Sequence, residues 1–251
     1  MKIVVFLKRV PDTGIPVQVN ETGNDIVREN LNYVVNPYDE FAIEEALRIK
    51  EKVGDAEIVA VSLGDDGAKE TLRNALALGA DRAVHLKVPT TPFVPPDATA
   101  KAFHQFLSQE GFDLVLMGKE AVDDNFGVVP AYLATLAGVP LLTYVVQLEI
   151  GDGKVKVHRE TDDGAVEVEA PMPCILTTEK GLNEPRLPTL RGIMMAKRKP
   201  IDEVEVTLSD SALSLDHMEM PPKKEAGVVI QDEFPKNVER LLEILREKKV
   251  L

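Results

Sequence analysis

IVAVSLGDDGAKETLRNALALGADRAVHL, residues 58–86, sets two apolar runs rich in β-branched residues, Ile58 to Val61 and Ala83 to Leu86, on either side of a helical period. Within that period Leu72, Ala75 and Leu76 fall on one stripe, and Gly79 supplies a left-handed stop. The same strand signal occurs at Ile3 to Leu7 and at Leu114 to Met117. Further helical patterns lie near Tyr38 to Val53, where Ile43, Ala46 and Leu47 share a stripe, near Ala98 to Glu110, and from after Asp123-Asp124-Asn125 to about Ala137. Strands that alternate with helices in this way predict a Rossmann-like α/β fold, a parallel sheet with helices on both faces.

After Pro140 the period changes to two. Tyr144, Val146 and Leu148, then Val155 and Val157, then Val166 and Val168 predict three strands of an antiparallel meander, turning at Gly151-Asp152-Gly153 and Asp162-Asp163-Gly164. A further strand, Cys174 to Thr177, follows. Residues 201–231 read as an extended polar arm, and a last helix aligns Val238, Leu241, Leu242 and Leu245 on one face. The expected division is a 1–200 α/β domain and a 201–251 arm.

Between them lies LNEPRLPTLRGIMMAKRKP, residues 182–200, with a net charge of +4 in a chain of −13. Pro185, Pro188 and Gly192 predict that it is largely loop. Leu187, Leu190, Ile193, Met194 and Met195 give it more large apolar surface than a solvated loop needs. Apolar residues ringed by cations suit docking to an acidic partner, where the apolar residue anchors and the charges steer. The bland account folds those residues back onto the body and leaves the lysines as a solvated rim.

The overall acidity argues against nucleic acid as a partner, because phosphate neutralisation needs a basic face. Five apolar residues at Ile3 to Leu7 are too few for a signal or membrane span, so a cytoplasmic protein without direct membrane insertion is expected. One cysteine, Cys174 in an apolar run, reads as a buried structural thiol, and four scattered histidines predict no metal site. No nucleophile, base and orienter assemble from the sequence, so no catalytic residue is assigned.

The loop after the fourth strand runs Gly118, Lys119, Glu120, Ala121, Val122, Asp123, Asp124, Asn125, Phe126, Gly127, Val128 and Val129. A loop leading from a parallel strand into a helix N-terminus is where α/β proteins hold phosphates. It carries neither GxGxxG nor a P-loop pattern, and an acidic turn that caps a helix would look similar. Asn36-Pro37-Tyr38-Asp39-Glu40 suits a helix start, with Pro at the first position and acids in the first turn.

Taken together, KIVVFLKRV, NPYDEFAIEEALRIKE, LRNALALGADRA, GKEAVDD, HRETDDG and the LNEPR segment resemble the beta subunit of electron transfer flavoproteins over nearly the whole chain. The resemblance implies a sheet of the adenine-nucleotide-hydrolase type, and a heterodimer with an alpha subunit that holds most of an FAD. It implies an AMP bound by Phe6, Leu7, Lys8, Asn36, Pro37, Tyr38, Asp39, Leu63 and the 118–129 loop, with Thr13 and Tyr38 near the FAD. Leu190, Arg191, Ile193, Met194 and Lys197 would recognise acyl-CoA dehydrogenase type flavoenzymes, electrons would leave to a quinone reductase, and Glu160 would face the moving flavin domain at the subunit interface. The chain departs from the family pattern at Val128-Val129-Pro130, where many members have Thr or Gln and then Gly. Two alternatives stay open: a bifurcating relative with a second FAD in place of AMP, and a stand-alone ATP-binding module.

Overall fold

A computed structural model describes residues 1–223 and 226–251. The four expected strands form as β1 (Lys2–Phe6), β4 (Glu57–Gly64), β5 (Arg82–Lys87) and β6 (Leu114–Gly118). The helices are α1 (Pro37–Val53), α2 (Ala68–Leu78), α3 (Pro96–Glu110) and α4 (Val129–Ala137). β2 (Arg9–Pro11) and β3 (Tyr33–Val35) make a separate antiparallel pair. The stop at Gly79 has φ 133°, well beyond the left-handed helical value, and its N–H still closes α2 on Ala75 O.

The meander, β7 (Leu141–Gly151), β8 (Lys154–Thr161) and β9 (Gly164–Pro171), is continuous with the parallel sheet through β10 (Cys174–Thr178). With β11 (Asp202–Glu205) at one edge, the sheet of the described residues runs β11-β5-β4-β1-β6-β10-β7-β8-β9, parallel as far as β7 and antiparallel beyond it. β11 pairs in parallel with β5, so the first residues expected in a free arm are the edge of the sheet.

Alternate residues of β1 enter two cores. Ile3 and Val5 pack with Ile43 and Leu47 of α1 and Leu72 of α2, while Val4 and Phe6 pack with Phe103 of α3 and Leu133 of α4. Helices therefore cover both faces, as the near-continuous apolar strands required. Cys174 is fully buried, and burial pushes its thiol up to about 11, as suits an inert packing residue.

One expectation needs correction and another needs an addition. In β7 the alternation breaks: Tyr144 has φ 57° and is exposed, and the register slips between Val145 and Gln147. The extra residue of this bulge turns Leu142 and Val145 inward in place of Tyr144. Residues 182–200 are largely loop, as expected, but a short helix, α5 (Leu190–Ala196), follows the second proline. The prolines flank this helix and do not interrupt it, and Thr189 Oγ1 caps it by accepting from Gly192 N at 3.0 Å. Gly192 lies against α2, where an added Cβ would stand 2.3 Å from Ala77 O, so the glycine is what lets the two helices meet.

Residues 1–218 form one compact unit and 219–251 a second. The second contains α6 (Lys236–Glu247), amphipathic as expected and with no buried residue. Among the described residues no helix is long and apolar enough to cross a membrane.

Candidate functional site

β1, β4 and β5 step outward in one direction, and the chain then crosses back to lay β6 on the other side of β1. At such a switch point the loops leaving the strands diverge and open a crevice at the carboxyl ends. A cavity of about 470 Å³ lies there, lined by Phe6 to Arg9, Leu63 to Asp65 and residues of the 118–130 loop. Its size falls in the range of about 300–1,000 Å³ typical of small-molecule sites.

The loops are tied together by two side chains at the start of α1. Asp39 is buried, and its carboxylate accepts the backbone N–H of Lys8 at 2.7 Å and of Gly118 at 2.9 Å. Asn36, also buried, donates to Asp39 Oδ1 at 3.0 Å and to Glu120 O at 2.8 Å, and accepts from Val122 N at 3.2 Å. The Asn36 side chain does not cap α1; it holds the 118–129 loop instead. Gly118 is obligatory, since a Cβ there would lie 2.4 Å from Asp39 Oδ1. Burial pushes Asp39 up to about 7, against the pull of its three donors.

Lys8 Nζ reaches Asp123 Oδ1 and Asp124 Oδ2, each at 2.8 Å. Burial lowers this lysine, but the two carboxylates outweigh it and hold the ammonium above its ordinary value. Lys119 turns toward Glu179, 2.7 Å away, whose hydrogen bond raises it. Its ammonium lies 4.7 Å from the centre of the Tyr38 ring and 5.6 Å from that of Tyr144. α4 presents its first turn, Val129 and Pro130, to the cavity without a side-chain cap. Pro130 offers no N–H.

Of the positions expected around the nucleotide, Pro37, Tyr38, Val122 and Asn125 do not line the cavity; the others do. Thr13 is exposed just after β2, and Glu160 is exposed near the end of β8 opposite Ala165. Arg9 also lines the cavity, as do Arg28, Thr90, Thr91, Phe93 and Met218, which sequence reasoning missed. Thr90 and Thr91 follow β5 at the same carboxyl edge, a signal that was available, whereas Arg28 and Met218 are carried in by long-range packing. Arg9 stacks on Tyr33 at 3.7 Å, and its Nε is buried with no hydrogen-bond partner among the described residues.

On α5 and just before it, Leu187 is 87% exposed, Leu190 83% and Met194 65%, so the apolar residues do not fold back onto the body. Arg191, Ile193 and Lys197 are exposed beside them. The preceding segment is anchored on α1. Arg186 binds Glu44 through Nε at 2.8 Å and Glu51 through NH1 at 2.6 Å, and Asn183 donates to Glu45 at 2.9 Å. Burial tends to raise Glu44, but hydrogen bonds from Arg186 and Arg48 outweigh it and hold the carboxyl below its ordinary 4.5. A carboxyl depressed by folding contributes stability that is complete above its unfolded value and lost as pH falls through its folded value. Thermal unfolding of Glu44→Gln should therefore show a shallower loss of Tm below about pH 4.5 than the parent. An identical acid limb in both would exclude Glu44 as an acid-sensitive anchor.

A mostly parallel α/β sheet with a small-molecule cavity at its switch point defines the class of this protein. The family model for the electron transfer flavoprotein domain matches residues 24–209. The chain is 36% identical to electron transfer flavoprotein subunit beta of Bacillus subtilis over all of both chains. It is 39% identical to the Bradyrhizobium diazoefficiens subunit beta, over 92% of this chain and 94% of that one. With the Bos taurus subunit beta the identity is 36%, over 92% and 93%. The chain belongs to the electron transfer flavoprotein family, with the beta subunits.

Proposed function

We propose that this chain is the beta subunit of a heterodimeric electron carrier, binding AMP in the switch-point cavity and forming one wall of an FAD site held mostly by an alpha subunit. The observation that carries the nucleotide part is the clamped 118–129 loop beside that cavity. Fixed backbone and a helix N-terminus suit an anionic group, and the orphaned Arg9 Nε is a buried donor that such a ligand would satisfy. Asp39 and Asn36 would position the loop, and Lys8 would temper the acids at Asp123 and Asp124. When bound, the flavin supplies the redox chemistry, and this chain's residues shape, dock and orient.

Electrons would arrive from acyl-CoA dehydrogenase type enzymes docked on α5 and leave to a membrane quinone reductase. Such a chain carries electrons and has no catalytic residue of its own. The supporting observation is the exposed apolar cluster of Leu187, Leu190 and Met194 beside Arg191 and Lys197. Co-expression with the alpha partner, followed by identification of the nucleotides released on denaturation, tests this: one AMP and one FAD per complex are expected. Two FAD would mean a bifurcating relative, which Val128-Val129 disfavours by offering no side-chain donors. ATP on an isolated chain would mean a stand-alone module.

Glu160 is proposed to bias the flavin domain from its exposed position on β8. Glu160→Ala should change both the electron-transfer rate and the domain mobility seen by small-angle scattering. If neither changed, that role would be excluded.

A further inference from the structure

His85 is fully buried on β5, and its parallel neighbour on β11 is Glu203. Its Nε2 lies 3.0 Å from Gly64 O. A carbonyl only accepts, so Nε2 carries the proton and Nδ1 presents a lone pair. That Nδ1 has no hydrogen-bond partner among the described residues, and it faces Glu203 Oε2 at 3.6 Å. Lysine ammoniums already meet the Glu203 carboxylate, so the unanswered atom at this edge of the core is Nδ1. Asp66, from the turn between β4 and α2, brings a third donor, and the three ligand atoms lie within 4.8 Å of one another.

We propose that Asp66, His85 and Glu203 form a divalent transition-metal site best matched to Zn²⁺. One imidazole nitrogen with two carboxylate oxygens falls within the zinc donor range, and water would complete a tetrahedron. The Gly64 carbonyl on the far ring nitrogen is the outer-shell contact that fixes a ligating histidine. The ligand spacing tightens modestly on binding, through two exposed carboxylate side chains.

Two lysines now neutralise the acids. Lys69 Nζ lies 2.7 Å from Asp66 Oδ1 and 2.6 Å from Glu203 Oε2, and Lys87 Nζ lies 3.7 and 3.4 Å from the same two carboxylates. Neither accounts for Nδ1. Both are partly exposed, on flexible stems, so metal entry exchanges the Lys69 ammonium for the ion. Their competition lowers the affinity below that of a lysine-free site. The ion would fasten the edge strand that follows α5 to the body of the sheet.

The full-length chain, stripped with a chelator, is titrated with Zn²⁺ against a chromophoric indicator, with Co²⁺ absorption reporting geometry. One Zn²⁺ per chain is expected, with a rise in Tm. Glu203→Gln and Asp66→Asn, both exposed and therefore safe for folding, should each weaken binding about tenfold or more, and Lys69→Gln should strengthen it. Absence of stoichiometric binding would overturn the site. Binding that is unchanged in both acid variants would overturn it too, placing the ion elsewhere.

Discussion

Asp39→Ala is expected to lower folding stability by about 4 kcal/mol and to release the nucleotide from the complex, the largest single effect in the molecule. The wild-type carboxylate satisfies two backbone N–H groups, one from the β1–β2 connection and one from the end of β6, and the Asn36 amide, all at a residue 5% exposed. Truncation strands three donors in a buried site, and each unsatisfied buried donor costs about 1–3 kcal/mol. Asp39→Asn retains the shape but turns an amide N–H against a backbone N–H, so its loss should be intermediate. Urea unfolding and nucleotide content after gel filtration measure both. A change under about 1 kcal/mol in Asp39→Ala would show that the loops hold themselves. The pH dependence has a definite sign. Folding raises this carboxyl from 3.8 to about 7, so the folded state binds its proton more tightly, and this group's contribution makes stability decline as pH rises across that window. Asp39→Asn should abolish that decline, which runs opposite to the Glu44 effect.

Leu190→Ala should slow electron transfer from the dehydrogenase about thirtyfold, equivalent to about 2 kcal/mol of docking energy, while leaving heterodimer, nucleotide and Tm unchanged. Leu190 is 83% exposed, so its removal leaves no cavity in the fold. An apolar side chain held out on a helix with Met194 beside it has the form of an anchor that becomes fully desolvated only in a complex. Arg191→Ala and Lys197→Ala should act differently, reducing the association rate most at low salt. Stopped-flow reduction by an acyl-CoA dehydrogenase at two ionic strengths separates the two classes. Wild-type rates in Leu190→Ala would remove the anchor role.

Much of this architecture was legible in the chain because β1, β4, β5 and β6 each carry a mainly apolar run and the helices between them each carry one stripe. The 118–129 segment was legible as a candidate phosphate loop from its place between a parallel strand and a helix, whereas Asn36 and Asp39 entered through the family resemblance, their own residues reading only as a helix start. What escaped has identifiable causes. Helix α5 was hidden by Pro185, Pro188 and Gly192, which mark its approach and its contact with α2 and do not break it. β11 is exposed at every residue and joins the sheet through backbone pairing with β5, which leaves no apolar pattern to read. The β7 bulge shifts the phase by one residue, and only the facing strands reveal where. Arg28 and Met218 reach the cavity through contacts far apart in sequence, which local periodicity does not encode.

The seat of α5 against Ala77 also constrains how this surface can diversify. With Gly192 pressed onto backbone and Ala196 buried beneath it, the inner side of the helix is closed to change. Leu190, Arg191, Ile193 and Met194 on the outer side are free of that constraint. Descendants of this chain can thus alter a few outward letters while inheriting the mount intact.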